Sequence, residues 1–189
     1  MADLPSFNIE DLSFLVCDND VNMCSMVASM LRTLGVKSLR KTNDGEEALK
    51  KLSDSAPDIF ICEWDVGEIS GIEIANRIRL DENNPARMTS IIFLTAHTQV
   101  GQVTEARDAG ITEYLAKPVS AETLYSRICS VIMNPRAFII AETFVGPDRR
   151  RQHDPFKIGM SRRESDQITP EDLADGVVDD DEVSKMLGL

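Results

Sequence analysis

The sequence lacks the features that mark membrane-spanning, secreted and metal-stapled proteins. No run approaches the roughly 18 apolar residues that cross a membrane. The N-terminal MADLPSF has no basic patch followed by an apolar stretch. The cysteines, Cys17, Cys24, Cys62 and Cys129, have apolar neighbours and show neither CxxC nor mixed Cys/His ligand spacing. We therefore expect a cytoplasmic protein with reduced, buried thiols.

Basic residues are scarce relative to acidic ones. The chain has 20 Lys and Arg against 32 Asp and Glu, a formal net charge of -12. Because this charge repels phosphate, the composition argues against nucleic-acid binding. The basic run at residues 149–151 is short, has no interleaved aromatic residues and lies beside an acidic tail. Protein partners are therefore expected, with neither nucleic acid nor a membrane among them.

The length of 189 residues suits one domain with an extension. From residue 11 to residue 134, short apolar runs alternate with helical patterns, which predicts a doubly wound α/β fold with a parallel sheet. Strands are predicted at 14–17, 37–42, 58–62, 90–96 and 111–116. A helix follows each strand, and capping spacings at Asp44, Ser70 and Ser120 begin three of the helices.

The pattern changes after Pro135. Residues 137–144 are apolar enough for an added strand or a docking segment, whereas residues 146–165 have no periodicity and are predicted to be a flexible linker. An acidic tail follows from Ile168, with a helix start predicted at Thr169. The predicted division is a domain at 9–134 and an extension at 135–189.

Polar side chains follow four of the five predicted strands, where function collects in open α/β sheets. They are Asp18, Asn19 and Asp20 after the first strand, Glu63, Trp64 and Asp65 after the third, Thr95 at the end of the fourth, and Lys117 with Pro118 after the fifth. Clustered carboxylates repel one another unless a cation compensates them, and Mg²⁺ prefers such oxygen ligands. The ammonium of Lys117 and the hydroxyl of Thr95 are suited to holding phosphate oxygens. Asp20 alone is equally well explained as a helix N-cap.

In this order, the residues resemble the receiver domains of two-component response regulators over about residues 9–134. The resemblance implies a flavodoxin-like (βα)5 sheet with strand order 2-1-3-4-5. It places Asp18 and Asn19 at the acidic pair, Glu63 at the phosphorylated aspartate, Thr95 at the switch hydroxyl, Tyr114 at the switch aromatic, Lys117 at the phosphate-contacting lysine, Pro118 at a cis proline, and Gly71 at a glycine eight positions past the acceptor.

Two departures weaken the implied phosphorylation chemistry. Glu63 reaches about 1.5 Å further than an aspartate, and in-line phosphoryl transfer tolerates little misplacement. Its fixed charge of about -1 only partly imitates a phosphate of roughly -1.5 to -2. Asn19 removes one charged ligand, so Mg²⁺ is expected to bind weakly, with Asp18, Glu63 and Asp65 as the candidate ligands.

Three hypotheses follow for the site. In the first, Glu63 pairs with Lys117 and Thr95 and favours an active-like state. In the second, the site is a structural remnant in a fixed binding module. In the third, Asp65 accepts the phosphoryl group, and acceptance by Glu63 itself is a related alternative.

An enzyme of a different class is a further alternative. Asp18-Asn19-Asp20 also resembles the DxD motif of haloacid-dehalogenase-like phosphatases, with Asp18 as nucleophile. That family needs a second acidic pair after the lysine strand, and the next acidic run is at residues 179–181. We therefore expect no enzymatic activity.

The resemblance implies an atypical single-domain regulator, or pseudo-receiver, in a bacterial phosphorelay. We expect it to be a monomer or weak homodimer. Its partner is predicted to be a signalling protein, which would bind the face of the fourth helix, fifth strand and fifth helix, or the C-terminal extension.

Overall fold

The computed structural model describes residues 7–97, 99–141 and 144–148. In this part of the chain, strands and helices alternate. They are β1 Ser13–Cys17, α1 Val21–Thr33, β2 Ser38–Thr42, α2 Gly45–Asp54, β3 Ile59–Cys62, α3 Gly71–Leu80, a 3-10 helix Pro85–Met88, β4 Ser90–Thr95, α4 Val100–Asp108, β5 Glu113–Ala116, α5 Ala121–Met133, β6 Phe138–Ala141 and β7 Phe144–Pro147. The predicted five strands and five helices are confirmed, and the short 3-10 helix and β7 are additions.

The first five strands form one parallel sheet with the order β2-β1-β3-β4-β5. This order confirms the doubly wound fold that the resemblance implied. Every residue of β3 is buried, as expected for a central strand covered by helices on both faces. One apolar core includes residues of α2 and α3, and the other includes residues of α1 and α5.

The register of the strands aligns the carboxyl ends of β1, β3, β4 and β5. Cys17 of β1 lies opposite Cys62 of β3, so the residues that follow, Asp18 and Glu63, leave the sheet side by side. Thr95 of β4 lies opposite Ala116 of β5, which places Lys117 at the same edge. Parallel pairing therefore brings together residues that are about 100 positions apart in sequence.

Side-chain caps explain why several helices begin where they do. The side chains of Asp44, Ser70 and Ser120 each accept a hydrogen bond from the backbone N–H three residues later, at 2.8 to 3.1 Å. These three predicted helix starts are confirmed. All four cysteines are free and buried, as predicted. Among the described helices, none is long and apolar enough to cross a membrane.

The segment after α5 corrects the predicted start of the linker. Gly146 and Pro147, assigned to the linker by their turn-forming character, lie in β7 and pair antiparallel with β6. Two strands alone are marginally stable, and this hairpin is held because it packs on the domain. The Phe138 ring lies 4.9 Å from the Arg79 guanidinium carbon. Gly110 has a φ of +80°, and a side chain there would overlap the Val145 carbonyl oxygen.

The hairpin therefore belongs to the same compact part of the chain as the sheet. Residues Met1–Arg149 form one compact unit, and all the described residues belong to it. This unit extends beyond the predicted boundary at residue 134. The predicted acidic tail and the helix start at Thr169 lie outside the described residues.

Arg79 is a buried cation that the sequence pattern did not single out. It is 1% exposed. Its guanidinium donates hydrogen bonds to the carbonyl oxygens of Thr89 at 2.7 Å and Gly110 at 3.1 Å, and to that of Arg87. Burial lowers its pKa to about 10, so it remains charged at neutral pH. Arg79 thus links the end of α3 to the backbone preceding β4 and β5.

We expect Arg79→Met to lower the free energy of unfolding by roughly 2 to 4 kcal/mol, because buried carbonyl groups lose their donor. Urea unfolding followed by circular dichroism measures this change. Arg77→Met is the matched control, since Arg77 lies on the same helix with a half-exposed side chain and should change stability by less than about 1 kcal/mol. Equal effects of the two variants would contradict the role given to Arg79.

Candidate functional site

The candidate site lies at the carboxyl ends of β1, β3, β4 and β5. Asp18 is 3% exposed and Glu63 is 8% exposed, and Thr95 is fully buried. Two carboxylates in so little water are unfavourable unless a cation or several hydrogen-bond donors compensate them. The contacts of these groups therefore determine what the site can do.

Lys117 provides the compensating charge. Its Nζ lies 2.7 Å from Asp18 Oδ2 and is also paired with Glu63 Oε2. Burial by itself lowers the pKa of the ammonium, but the hydrogen bonds and charges of Asp18 and Glu63 outweigh burial and raise the pKa above its usual value. Lys117 is therefore positively charged at neutral pH.

Each oxygen of the two carboxylates has a donor. Asp18 Oδ1 accepts from the Asp20 N–H at 2.9 Å, and Glu63 Oε1 accepts from the Trp64 N–H at 2.6 Å. The additional methylene of glutamate lets its carboxylate turn back to the adjacent N–H while it still reaches Lys117. Glu63 is thus held at two points, and neither of its oxygens lacks a hydrogen-bonding partner.

Gly71 supports the backbone of this glutamate. A Cβ at Gly71 would overlap the Glu63 carbonyl oxygen and lie 3.0 Å from the Phe93 ring. The Gly71 N–H also donates to the Trp64 carbonyl oxygen at 2.7 Å. The close approach of α3 to the end of β3 therefore requires glycine at the position that the resemblance singled out.

The other acidic-pocket candidates have different environments. Asp20 caps α1 through the N–H groups of Asn22 at 2.8 Å and Met23 at 3.3 Å. Asn19 is exposed. The Asp65 carboxylate lies 3.0 Å from His97 Nε2. The structure thus gives Asp20 its alternative role as a cap and directs Asp65 to a histidine.

The expected metal ligands do not form a preformed metal site. Within the described residues, no group of three or more His, Cys, Asp or Glu side chains is placed to hold a metal ion. Asp18 and Glu63 are hard oxygen donors of the kind that Mg²⁺ uses, but both are bound to Lys117. A cation binding there would have to displace the ammonium or share its ligands.

Thr95 and Tyr114 are both bound to the backbone of His97. Thr95 Oγ1 accepts from the His97 N–H at 3.1 Å, and the Tyr114 hydroxyl donates to the His97 carbonyl oxygen. Burial, followed by the charge of Glu63, raises the pKa of Tyr114 to about 12. No hydrogen bond joins Thr95 to Glu63 in the described part of the chain. The Lys117–Pro118 peptide bond is cis, as the resemblance implied.

His97 is a loop residue of this region whose contacts the sequence did not reveal. Both ring nitrogens have side-chain partners, Asp65 at 3.0 Å and Gln102 at 2.9 Å, and the ring lies 5.7 Å from that of Trp64. Asp65 and His97 are 32 residues apart on different loops, so no local spacing could have revealed their contact.

Comparison with known proteins agrees with this geometry. The family model for the response regulator receiver domain matches residues 14–129. The chain is 29% identical over 119 residues to the chemotaxis protein CheY-3 of Vibrio cholerae, covering 63% of this chain and 90% of that protein.

Solved structures of similar fold include two with comparable identity. A putative response regulator from Chloroflexus aurantiacus has a TM-score of 0.60 at 28% identity, covering 65% of this chain and 98% of that one. The receiver domain of a sensor histidine kinase from Pseudomonas aeruginosa has a TM-score of 0.56 at 27% identity, covering 63% and 94%. That domain has a magnesium ion coordinated in its active site cleft.

Lys117→Met should lower the free energy of unfolding by roughly 3 to 5 kcal/mol, because two buried carboxylates lose their cation. Adding Glu63→Gln should recover at least half of the loss, since one carboxylate then remains. Chemical unfolding at neutral pH measures both effects. Lys37→Met, which breaks the exposed pair with Glu10, is the control. The assignment fails if Lys117→Met is no more costly than this control.

Proposed function

The chain belongs to the response regulator receiver family, and we propose that it is an atypical member, a pseudo-receiver that acts in phosphorelay signalling through protein–protein contacts. Glu63 takes the place of the phosphorylated aspartate and is not itself phosphorylated. The observation that carries this proposal is the pairing of Lys117 with both Asp18 and Glu63. The lysine that the resemblance assigns to phosphate is already bound to residues of the chain.

The geometry of Glu63 supports its inactivity as an acceptor. A phosphoryl donor has to meet a carboxylate oxygen in line with the leaving group. Here one oxygen accepts from the Trp64 N–H and the other is paired with Lys117. Attack would require Glu63 to give up one of these contacts and to move, and its longer side chain is already displaced relative to an aspartate.

The same contacts favour a fixed state over a switch. Glu63 holds Lys117 with a permanent negative charge, which is one part of the active-like hypothesis. The other part, a contact between Glu63 and Thr95, is not supported, because among the described residues the Glu63 oxygens are bound to the Trp64 N–H and Lys117. We therefore combine the first two hypotheses: the domain is a binding module whose Glu63–Lys117 pair maintains one conformation of the pocket.

The alternatives have less support. Phosphorylation of Asp65 would require that carboxylate to leave His97 and turn into the pocket. A phosphatase with Asp18 as nucleophile would need a free Asp18 oxygen, and both are occupied by Lys117 and the Asp20 N–H. The family to which the chain belongs generally signals rather than catalyses, and we propose the same for this chain.

Receiver domains interact with signalling proteins such as kinases, and we propose a protein of this kind as the partner. The α4–β5–α5 face is the proposed site of contact, and the C-terminal extension is the second candidate. The absence of nucleic-acid partners, the monomeric or weakly dimeric state and the cytoplasmic location stay predictions from the sequence.

Acetyl phosphate with Mg²⁺ should leave the native chain unlabelled, as detected by intact-protein mass spectrometry. The Asn19→Asp/Glu63→Asp double variant should gain one phosphoryl group, because it restores the shorter acceptor and the second acid. This variant is the positive control, because its labelling shows that acetyl phosphate can phosphorylate an aspartate in this fold. A phosphoryl adduct on Glu63 of the native chain would refute the proposal, and an adduct lost in Asp65→Asn would establish the Asp65 alternative.

Mg²⁺ should bind the native chain roughly tenfold more weakly than it binds Asn19→Asp, since affinity for such ions follows the number of charged oxygen ligands. Isothermal titration calorimetry measures the difference. Asn22→Asp is the matched control, because it adds the same charge at an exposed position on α1. Binding by the native chain as tight as that of Asn19→Asp would contradict a role for Asn19 in weakening the site.

A further inference from the structure

A set of side chains separate from the Glu63–Lys117 pair joins the loop after β3 to the loop after β4. We call Asp65, His97 and Gln102 the loop clasp. We propose that the loop clasp positions Tyr114, and so holds the α4–β5–α5 face in one conformation without a phosphoryl group. The significance of this inference rests on the proposed function, which makes that face the surface a partner contacts.

The hydrogen bonds of His97 define the clasp. Its Nε2 lies 3.0 Å from Asp65 Oδ2, and its Nδ1 lies 2.9 Å from Gln102 Nε2. An amide nitrogen can only donate, so Nδ1 accepts and the ring proton is on Nε2, where it is donated to Asp65.

Aromatic packing adds a second link between the same elements. The His97 ring lies 5.7 Å from Trp64, and Trp64 lies 5.9 Å from Phe93 in an edge-on arrangement. Phe93 in turn lies 6.3 Å from Tyr114. Such ring pairs favour fixed geometries. The rings form a continuous path from the loop after β3, across β4, to β5.

The clasp acts on Tyr114 through the backbone of His97. When its ring is held by Asp65 and Gln102, the peptide groups of His97 are fixed as well. Its N–H is bound to Thr95 Oγ1, and its carbonyl oxygen accepts the Tyr114 hydroxyl. His97 and Asp65 are thus positioning residues. They position the His97 carbonyl oxygen, which accepts a hydrogen bond from the Tyr114 hydroxyl and keeps the ring in its inward orientation.

This arrangement also pairs the lysine expected to hold a phosphoryl group, because Lys117 is bound to Glu63. Thr95 Oγ1 accepts from the His97 N–H. Asp65 and His97 bridge the two loops beside the pocket with a side-chain contact. The conformation of the Tyr114 face is therefore set by residues of the chain and requires no donor.

The experiment observes Tyr114 alone. The chain has two tyrosines and one tryptophan, so Tyr125→Phe leaves Tyr114 as the only tyrosine for ¹³C-tyrosine NMR. In this background, Asp65→Ala and His97→Ala should each raise the outward population of Tyr114 about threefold to tenfold, the range expected for one lost hydrogen bond. The pKa of Tyr114 should fall from about 12 toward its usual value, and Trp64 fluorescence should change.

Two further variants separate the clasp from general effects on the loop. Asp65→Asn retains an oxygen that can accept from His97 and should keep Tyr114 inward. Glu68→Ala removes an exposed acid from the same loop and should change nothing. If Asp65→Ala and His97→Ala leave the Tyr114 signal unchanged, the inference is overturned.

A last variant distinguishes failure of this inference from failure of the proposed function. Glu63→Gln leaves every hydrogen bond of the clasp in place and should keep Tyr114 inward in the NMR signal, while removal of the Glu63 charge by itself lowers the pKa of Tyr114. Release of Tyr114 by Glu63→Gln but not by Asp65→Ala would overturn the clasp. The proposed function would remain intact in that case, since it is decided by phosphodonor labelling of Glu63.

Discussion

The pairing of one ammonium with two buried carboxylates is the constraint on which this site depends. Asp18 and Glu63 leave neighbouring strands side by side, and neither is more than 8% exposed. Charges placed so close and so far from water are tolerated only with a compensating cation. Lys117 provides it from the end of β5. The ends of three strands are thereby tied together electrostatically.

This constraint changes what a receiver fold can do. In the native pairing, Lys117 and the Glu63 oxygens are committed to each other and to the Trp64 N–H. A phosphoryl group entering the pocket would have to compete with Glu63 for Lys117. Under the proposed function, the α4–β5–α5 face is held by contacts that are always present, and the His97 carbonyl oxygen is the group bound to the Tyr114 hydroxyl. Under the same proposal, the domain signals by being bound rather than by being modified.

Arg79 is a buried cation, and it lies at the amino ends of the strands, opposite Lys117. Its partners are backbone carbonyl groups before β4 and β5. Its guanidinium also lies over Phe138 of the hairpin. The extension after α5 is therefore anchored near the amino ends of β4 and β5, whereas Lys117 lies at the carboxyl ends of the strands.

Local patterns determined much of the architecture before any contact was known. The alternation of apolar runs and helical spacing, with Asp44, Ser70 and Ser120 as caps, predicts the order of strands and helices, because capping and periodicity depend on residues a few positions apart. The strand-end rule also predicted that Asp18, Glu63, Thr95 and Lys117 would meet, since parallel strands present the same end at one edge.

Only the tertiary structure decided how these groups pair. Lys117 contacts both carboxylates, Thr95 contacts His97, and Asp65 contacts the His97 ring. The pairing of β7 with β6 and the burial of Arg79 also escaped prediction. The contacts of Lys117 and Asp65 join residues 99 and 32 positions apart, and the energies of all these contacts depend on distance, burial and the choice among competing donors. Those quantities exist only once the strands have been brought into register.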